Sequence, residues 1–478
     1  MKNFILTTHC IFFLFILSAQ KQTVPPELKL DSSFAFLQYY SDTIAQRFLN
    51  HFKSADKEKV VFVHFGGSHI QAERPTTVAR KLLQEKYGDG GSGYVFSYEA
   101  ANTYGSVNYK STALGEWRFR KSFQGRLQDC PIGFCGMVVE TREENASLSF
   151  EFKVSKMPKN RDIKVFFEND SACHLVEFKI NDQVINGDHN LTFQPYGAIF
   201  TFNDTIKDFQ IISRGGGERL RFYGLSIENI ANRGVVYHSA GVGAAAYRSF
   251  LICDKYEDQA NELKPDIAII DYGTNDILYY NRVESSLAAQ VEKTIEKLRA
   301  QNPKMIIILT STQDLFYKRR VISACVDFRD LMDSLARKNN CMYWNFYDLA
   351  GGYNTIRAWA DKGYARTDGV HLTQNGYALK GELLYLSIEN TLNQIQADSS
   401  NLSLTIPPKK YDLLTPTITQ KKYSNKIKSN SKYKYYKVRR GDTLSEIAVK
   451  FHTSVSKIKK ANGIRGTLIR EGQTLKIP

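Results

Sequence analysis

The chain has 478 residues, 42% hydrophobic and 24% charged, with a formal net charge of +15. That length exceeds one small core and predicts two to four domains of ordinary globular composition, and seven cysteines are too few for a disulfide scaffold. The charge is concentrated at one end: residues 409–478 hold 18 Lys and Arg against 4 Asp and Glu, while the rest is close to neutral, so the basic tail suits acidic wall polymers or membrane surfaces, with a solvated linker as the alternative.

In chain order, Lys2 precedes an apolar run at 11–17 (IFFLFIL), and Ser18 and Ala19 lie before Gln20. This is the order of a secretory signal peptide over residues 1–19. The run is shorter than the roughly 20 residues a membrane-spanning helix needs. Cys10 sits inside the run, which argues against a lipoprotein site. An exported protein follows, placed in the periplasm or the cell wall, with no transmembrane anchor after cleavage. Export and the lack of a nucleic-acid motif leave no role for DNA or RNA. Cys130 and Cys135 flank a Pro-Ile-Gly-Phe turn and are spaced to pair, whereas Cys253 and Cys325 lie in apolar stretches and are expected as buried thiols. No cysteine has zinc-type spacing with a histidine, so no metal site is expected.

Residues 60–65 (VVFVHF) form a short apolar run that ends in Gly66-Gly67-Ser68-His69, the pattern of a buried strand entering a tight loop. Similar runs follow at 266–272, 305–309 and 342–346. Helical spacing appears at Leu287, Val291, Ile295 and Leu298, again from Val321 to Leu335, and over about 375–395. Alternating strands and helices predict an α/β fold, a parallel sheet covered on both faces. Residues 106–231 break this rhythm. Leu148, Phe150, Phe152 and Val154 alternate with polar residues, as do Val176, Phe178 and Ile180, and the stretch from Phe222 to Ile227. This predicts an inserted antiparallel β-sandwich. The α/β domain is thereby split into 28–105 and 232–396. Residues 397–434, rich in Ser, Asn, Thr, Pro and Lys, read as a basic linker before a compact segment at 435–478.

A serine at the carboxyl end of the first parallel strand sits where open α/β sheets place their sites. Its hydroxyl needs a base. A histidine supplies one near neutral pH, and a carboxylate orients the imidazole. Asp368 and His371 lie three residues apart before the last helix, and Gly273-Thr274-Asn275-Asp276 follows the second strong strand, where the Asn275 amide suits a developing oxyanion. His69 is a pocket-lining candidate. His64, Tyr272 and Trp344 are expected as packing, and Arg319-Arg320 as a solvated face.

These blocks, in this order, resemble the SGNH (GDSL-type) hydrolase superfamily. The resemblance covers roughly residues 55–395 and implies a three-layer α/β/α domain needing no metal or organic cofactor. It implies Ser68 as nucleophile, His371 as base and Asp368 as its orienting partner. The implied oxyanion donors are the N–H groups of Ser68 and of a glycine within 239–244, and the amide of Asn275. Gly243 is preferred to Gly241 for the second donor. Gly67 stands where the family usually has aspartate, a departure that bears on loop rigidity and oxyanion geometry. A β-sandwich after the first block is similar to the peptidoglycan O-acetylesterase group, implying a serine esterase that removes acetyl from wall glycan. The same residues permit an acetyltransferase or a deacetylase of another polysaccharide, and a non-catalytic wall-binding protein is the reading from a different class.

The last segment opens with Gly441-Asp442-Thr443-Leu444, contains Asn462, and closes with Gly-Gln-Thr-Leu-Lys-Ile-Pro at 472–478. It resembles a LysM domain. That implies a βααβ module binding peptidoglycan or another N-acetylglucosamine-containing glycan, in a shallow groove drawing on Gly441, Asp442, Thr443 and Leu444 and on the loop from Ile464 to Leu468.

Overall fold

The computed structural model describes residues 28–125, 129–153, 159–400, 434–438, 442, 444, 447–448, 451, 453–464, 469 and 472–477. The expected signal peptide, nearly all of the expected linker, Val154, Gly441 and Thr443 lie outside the described residues. The chain divides into two compact units, residues 1–404 and 405–478.

The first unit is built on a twelve-stranded mixed sheet. Six strands are mutually parallel and run in the spatial order Asp89–Val95, Gly234–Gly241, Lys59–Gly66, Ile267–Asp271, Ile306–Thr310 and Met342–Trp344. Their side chains part by alternation, because successive residues of a strand face opposite ways. Phe62, Ile267, Ile269, Ile306 and Ile308 enter one core. There they meet residues of the helices Asp42–Lys53 and Gln374–Ser400. Val63, Phe65, Ala268, Ile270, Ile307 and Leu309 enter the other, against the helices Leu287–Gln301 and Ala324–Lys338. Both faces are covered by helices and buried, which is why these strands read as continuous apolar runs. The helix expected from Val321 starts three residues later, since Val321 pairs with Phe316 in a two-residue hairpin.

The inserted segment contributes to two sheets. One is a separate antiparallel sheet of Tyr109–Leu114, Ser147–Phe152, Asp208–Ser213, Val176–Ile180 and Gln183–Val184. Its closing hairpin turns at Asn181 and Asp182, both at positive φ as a two-residue turn requires. The other is part of the twelve-stranded sheet: Leu220–Asn229 pairs antiparallel with Asp89–Val95 on one side and with Arg161–Phe167 on the other. Aromatic rings join the two layers, with Phe150 against Phe222 at 6.0 Å and Phe178 against Phe200 at 5.4 Å. Leu220–Asn229 is therefore buried on both faces rather than alternating, since the strand lies inside a sheet shared between the two layers. The helix Tyr256–Leu263 reaches the same region, where Gln259 Oε1 accepts from the Tyr94 hydroxyl and the Phe134 N–H.

Cys130 and Cys135 do not pair: both are free thiols, and the buried Cys135 directs Sγ at the Tyr223 carbonyl, 3.9 Å away. Cys253 and Cys325 are buried thiols, Trp344 is packed with its Nε1 donating to Ser387 Oγ at 3.0 Å, and Arg319 and Arg320 are exposed. No described helix is long and apolar enough to cross a membrane.

In the second unit, Lys434–Lys437 pairs antiparallel with Thr474–Ile477. The helix Val455–Asn462 begins at the Ser454 cap, whose Oγ accepts from Lys457 N, and stops at Gly463 in the left-handed region. Asn462 ties that helix to the closing strand through both directions of its amide with Lys476. Tyr436, Val438, Leu444, Ile447, Ala448, Ile458, Leu475 and Ile477 form its core.

Candidate active site

The chain leaves the strand Lys59–Gly66 towards Asp89–Val95 on one side and later crosses to Ile267–Asp271 on the other. This is a topological switch point, and Ser68 sits just beyond its carboxyl end. The serine loop can tuck against the neighbouring strand because position 241 is glycine: a Cβ there would stand 2.2 Å from Gln71 N. Gly241 thus has a steric part in the loop, and Gly243 lies past it where the chain turns.

The three expected residues meet in a line. Ser68 Oγ is 2.9 Å from His371 Nε2, and His371 Nδ1 is 3.0 Å from Asp368 Oδ2. The other Asp368 oxygen accepts the N–H groups of Val370 and His371 at 2.9 and 2.8 Å, an Asx turn that presets the imidazole. Burial alone would raise the Asp368 carboxyl. The His371 side chain and those two N–H groups outweigh it and hold the carboxyl well below the usual carboxylate range.

Behind this line stands a bracing layer in which His69, expected to line the pocket, and His64, expected as packing, are joined by Tyr377, Gln313 and Lys380, which the sequence did not single out. His69 is buried, its Nδ1 3.1 Å from the Tyr377 hydroxyl and its Nε2 3.2 Å from Gln313 Nε2, which also donates to the Val370 carbonyl at 2.8 Å. Burial, then the neighbouring His371 and Lys380, push His69 well below the ordinary imidazole range, so it is a neutral prop. The available signal was the polar run at 310–314 directly after an apolar strand, all of it buried. His64 is likewise interior, with Nδ1 2.8 Å from the Tyr237 hydroxyl and Nε2 3.4 Å from Asp271 Oδ2. Asp271 also pairs with Lys380 at 2.6 Å, both ends buried. Burial opposes ionisation of Asp271, but Lys380 and His64 prevail and keep it low.

The three expected oxyanion donors differ in state. Ser68 N–H makes no hydrogen bond among the described residues. Asn275 Nδ2 donates one hydrogen to the Ala245 carbonyl at 2.8 Å, leaving its second available. The Gly243 N–H is engaged, donating to Gln71 Oε1 at 2.5 Å. Asp276 secures the Asn275 turn by accepting from Gly273 N at 3.0 Å and Tyr247 N at 3.2 Å. Desolvation lifts its carboxyl to about 6 against these bonds. Among the described residues no group of three or more His, Cys, Asp and Glu is placed to hold a metal.

Of the expected glycan-binding residues in the second unit, Leu444 belongs to the core, Ile464 is partly buried against it, and Asp442 accepts from the Tyr436 hydroxyl at 2.7 Å.

A hydroxyl, an imidazole and a carboxylate in line beside unfilled donors can carry acyl transfer, and comparison with known proteins agrees. Residues 215–379 match the GDSL-like lipase/acylhydrolase family, and residues 436–478 match the LysM domain. The chain therefore carries a GDSL/SGNH hydrolase domain and, C-terminal to it, a LysM domain. The fold resembles that of a peptidoglycan O-acetylesterase of known structure, at 18% identity and a TM-score of 0.63, over 75% of this chain and 99% of that one. A GDSL-like lipase from Bacteroides thetaiotaomicron VPI-5482 is 22% identical over 32% of this chain and 76% of its own, with a TM-score of 0.25. A family two carbohydrate esterase from Cellvibrio japonicus is 10% identical over 60% and 99%, with a TM-score of 0.26. No curated protein matches the chain in sequence. The family match begins at 215, so Ser68 falls outside it and is joined to Asp368 and His371 by geometry.

Proposed function

We propose that the protein is a serine esterase that removes O-acetyl groups from peptidoglycan, with Ser68, His371 and Asp368 as its catalytic residues. The carrying observation is the unbroken line from Ser68 Oγ through His371 to Asp368. Ser68 Oγ attacks the acetyl carbonyl while His371 Nε2 takes its proton. The oxyanion is met by the Ser68 and Gly243 N–H groups and the Asn275 amide. Breakdown expels the sugar oxygen, which receives the proton from His371, and leaves acetyl on Ser68. A water, deprotonated by the same imidazole, then releases acetate.

The substrate class is supported by two independent features: the fold shared with a peptidoglycan O-acetylesterase and the LysM domain at 436–478. The LysM domain holds the enzyme on wall glycan, and the signal peptide read at residues 1–19 directs it to the periplasm or wall. Purified protein incubated with muropeptides carrying acetyl on the muramic acid C6 oxygen should remove that ester and leave the N-acetyl groups. Muropeptides unchanged by mass spectrometry would overturn the substrate. Acetyl moved onto a second sugar instead of into water would make the protein a transferase.

A further inference from the structure

Gln71 is almost fully buried, 2% exposed, and both ends of its side-chain amide are hydrogen-bonded. Oε1 accepts the Gly243 N–H at 2.5 Å, while Nε2 donates to Thr103 Oγ1 at 2.8 Å and to the Tyr104 carbonyl at 2.9 Å. These partners fix the amide's orientation, because a backbone N–H must face the oxygen and a carbonyl the NH2 group. The Gln71 backbone is held too, its N–H donating to the Gly67 carbonyl at 3.1 Å. Tyr104 closes the group by donating its hydroxyl to the Ser68 carbonyl at 3.3 Å. A single N–H directed at so close an acceptor is not free to serve a second one at full strength.

We infer that Gln71 is a positioning residue that withholds the Gly243 N–H from the oxyanion site in the resting enzyme and yields it when a glycan ester binds. This rests on the esterase reading above. The loop that holds Gln71 also walls a surface cleft of about 430 Å3, lined among others by Asn102, Thr103, Ser106, Tyr109, Lys110 and Lys153. Thr103 is therefore shared between the cleft and Gln71. A sugar chain reaching from Ser68 into that cleft competes for the Thr103 hydroxyl and loosens the amide. A small aryl acetate fills only the space at Ser68 and leaves the latch closed. The resting site thus offers two donors to a small ester and three to a glycan.

Since one oxyanion donor changes turnover by about 10²–10³, the latch is read as a substrate preference. Gln71→Met keeps the volume but neither accepts from Gly243 nor donates to Thr103. In the full chain it should raise kcat on 4-nitrophenyl acetate at least about 10-fold, on the scale of a single donor, with KM little changed. Turnover of O-acetylated muropeptide should rise far less, so the preference for glycan collapses. Gln71→Glu retains the acceptor and should leave small-ester turnover low. Parallel losses on both substrates in both variants, or an unchanged ratio, would overturn the inference. If Gln71→Met does not fold, Thr103→Val should shift the same ratio in the same direction, and an unchanged ratio there overturns it equally. Turnover that survives Ser68→Ala is a failure of the esterase reading itself, and the parallel serine variant identifies it separately.

Discussion

At position 67 a Cβ would stand 3.1 Å from Asn275 Nδ2 and 3.2 Å from the Ala245 carbonyl. The loop around Ser68 is thus packed against the bond that orients Asn275, and glycine there leaves that bond room. The missing aspartate, a weakness when the sequence is read alone, coincides with an intact line from Ser68 to Asp368. Ser68, Asn275, Asp368 and His371 were legible because their chemistry is specific and their blocks stand at strand ends. Gln71 was not, because glutamine announces no chemistry and only its partners give it a part. Asp276 was legible as part of a motif but not as a titrating group. Its folded pKa, about 6, lies above the unfolded carboxyl value. The folded state then binds more protons between the two values, so stability from this group is present below the unfolded pKa and is lost as pH rises through about 6. Relative to Asp276→Asn, the wild type should lose about 1–3 kcal/mol of unfolding free energy between pH 4 and pH 7, measured by denaturant titration. A difference independent of pH would refute the shift.

Among elements, the helix Gln374–Ser400 does more than cover the sheet. It starts just after His371 and sends Lys380 to Asp271, four residues before Asn275 in sequence. Glu389, further along, accepts from Tyr87 at the end of the helix Arg74–Tyr87. The helix therefore ties His371, the turn that carries Asn275 and the helix Arg74–Tyr87 to one frame. Its start was readable in the sequence, whereas its end lies five residues beyond the expected 395, and a lysine buried at 2% exposure was not readable, since sequence places Lys on the surface by default. Lys380→Met leaves Asp271 buried without its cation and should cost about 3–5 kcal/mol of stability. Adding Asp271→Asn should recover part of the loss, and a cycle with no coupling between the two would show the pair to be independent.

For the whole molecule, composition and motif set an α/β body apart from a basic linker at 397–434 and a small module at 435–478, and the chain divides into compact units at 1–404 and 405–478. The inserted segment was legible as antiparallel structure from its alternation. Its union with the parallel strands in one sheet was not, because the pairing of Leu220–Asn229 with Asp89–Val95 joins residues more than a hundred positions apart and no local pattern encodes a partner. Removing residues 405–478 should abolish retention on insoluble peptidoglycan while leaving hydrolysis of soluble muropeptides within about twofold, since the triad lies wholly in the first unit. Retention that persists without the tail would move wall binding into the catalytic unit.

In the proposed mechanism Ser68 is a nucleophile activated by His371. Reaction with a fluorophosphonate followed by peptide mapping probes this activation at the serine itself. The wild type should label stoichiometrically on Ser68, Ser68→Ala should not label, and His371→Ala should label more slowly by about 10²–10⁴, the range expected for loss of a general base. An adduct on another residue, or equal labelling in the wild type and His371→Ala, would contradict the account.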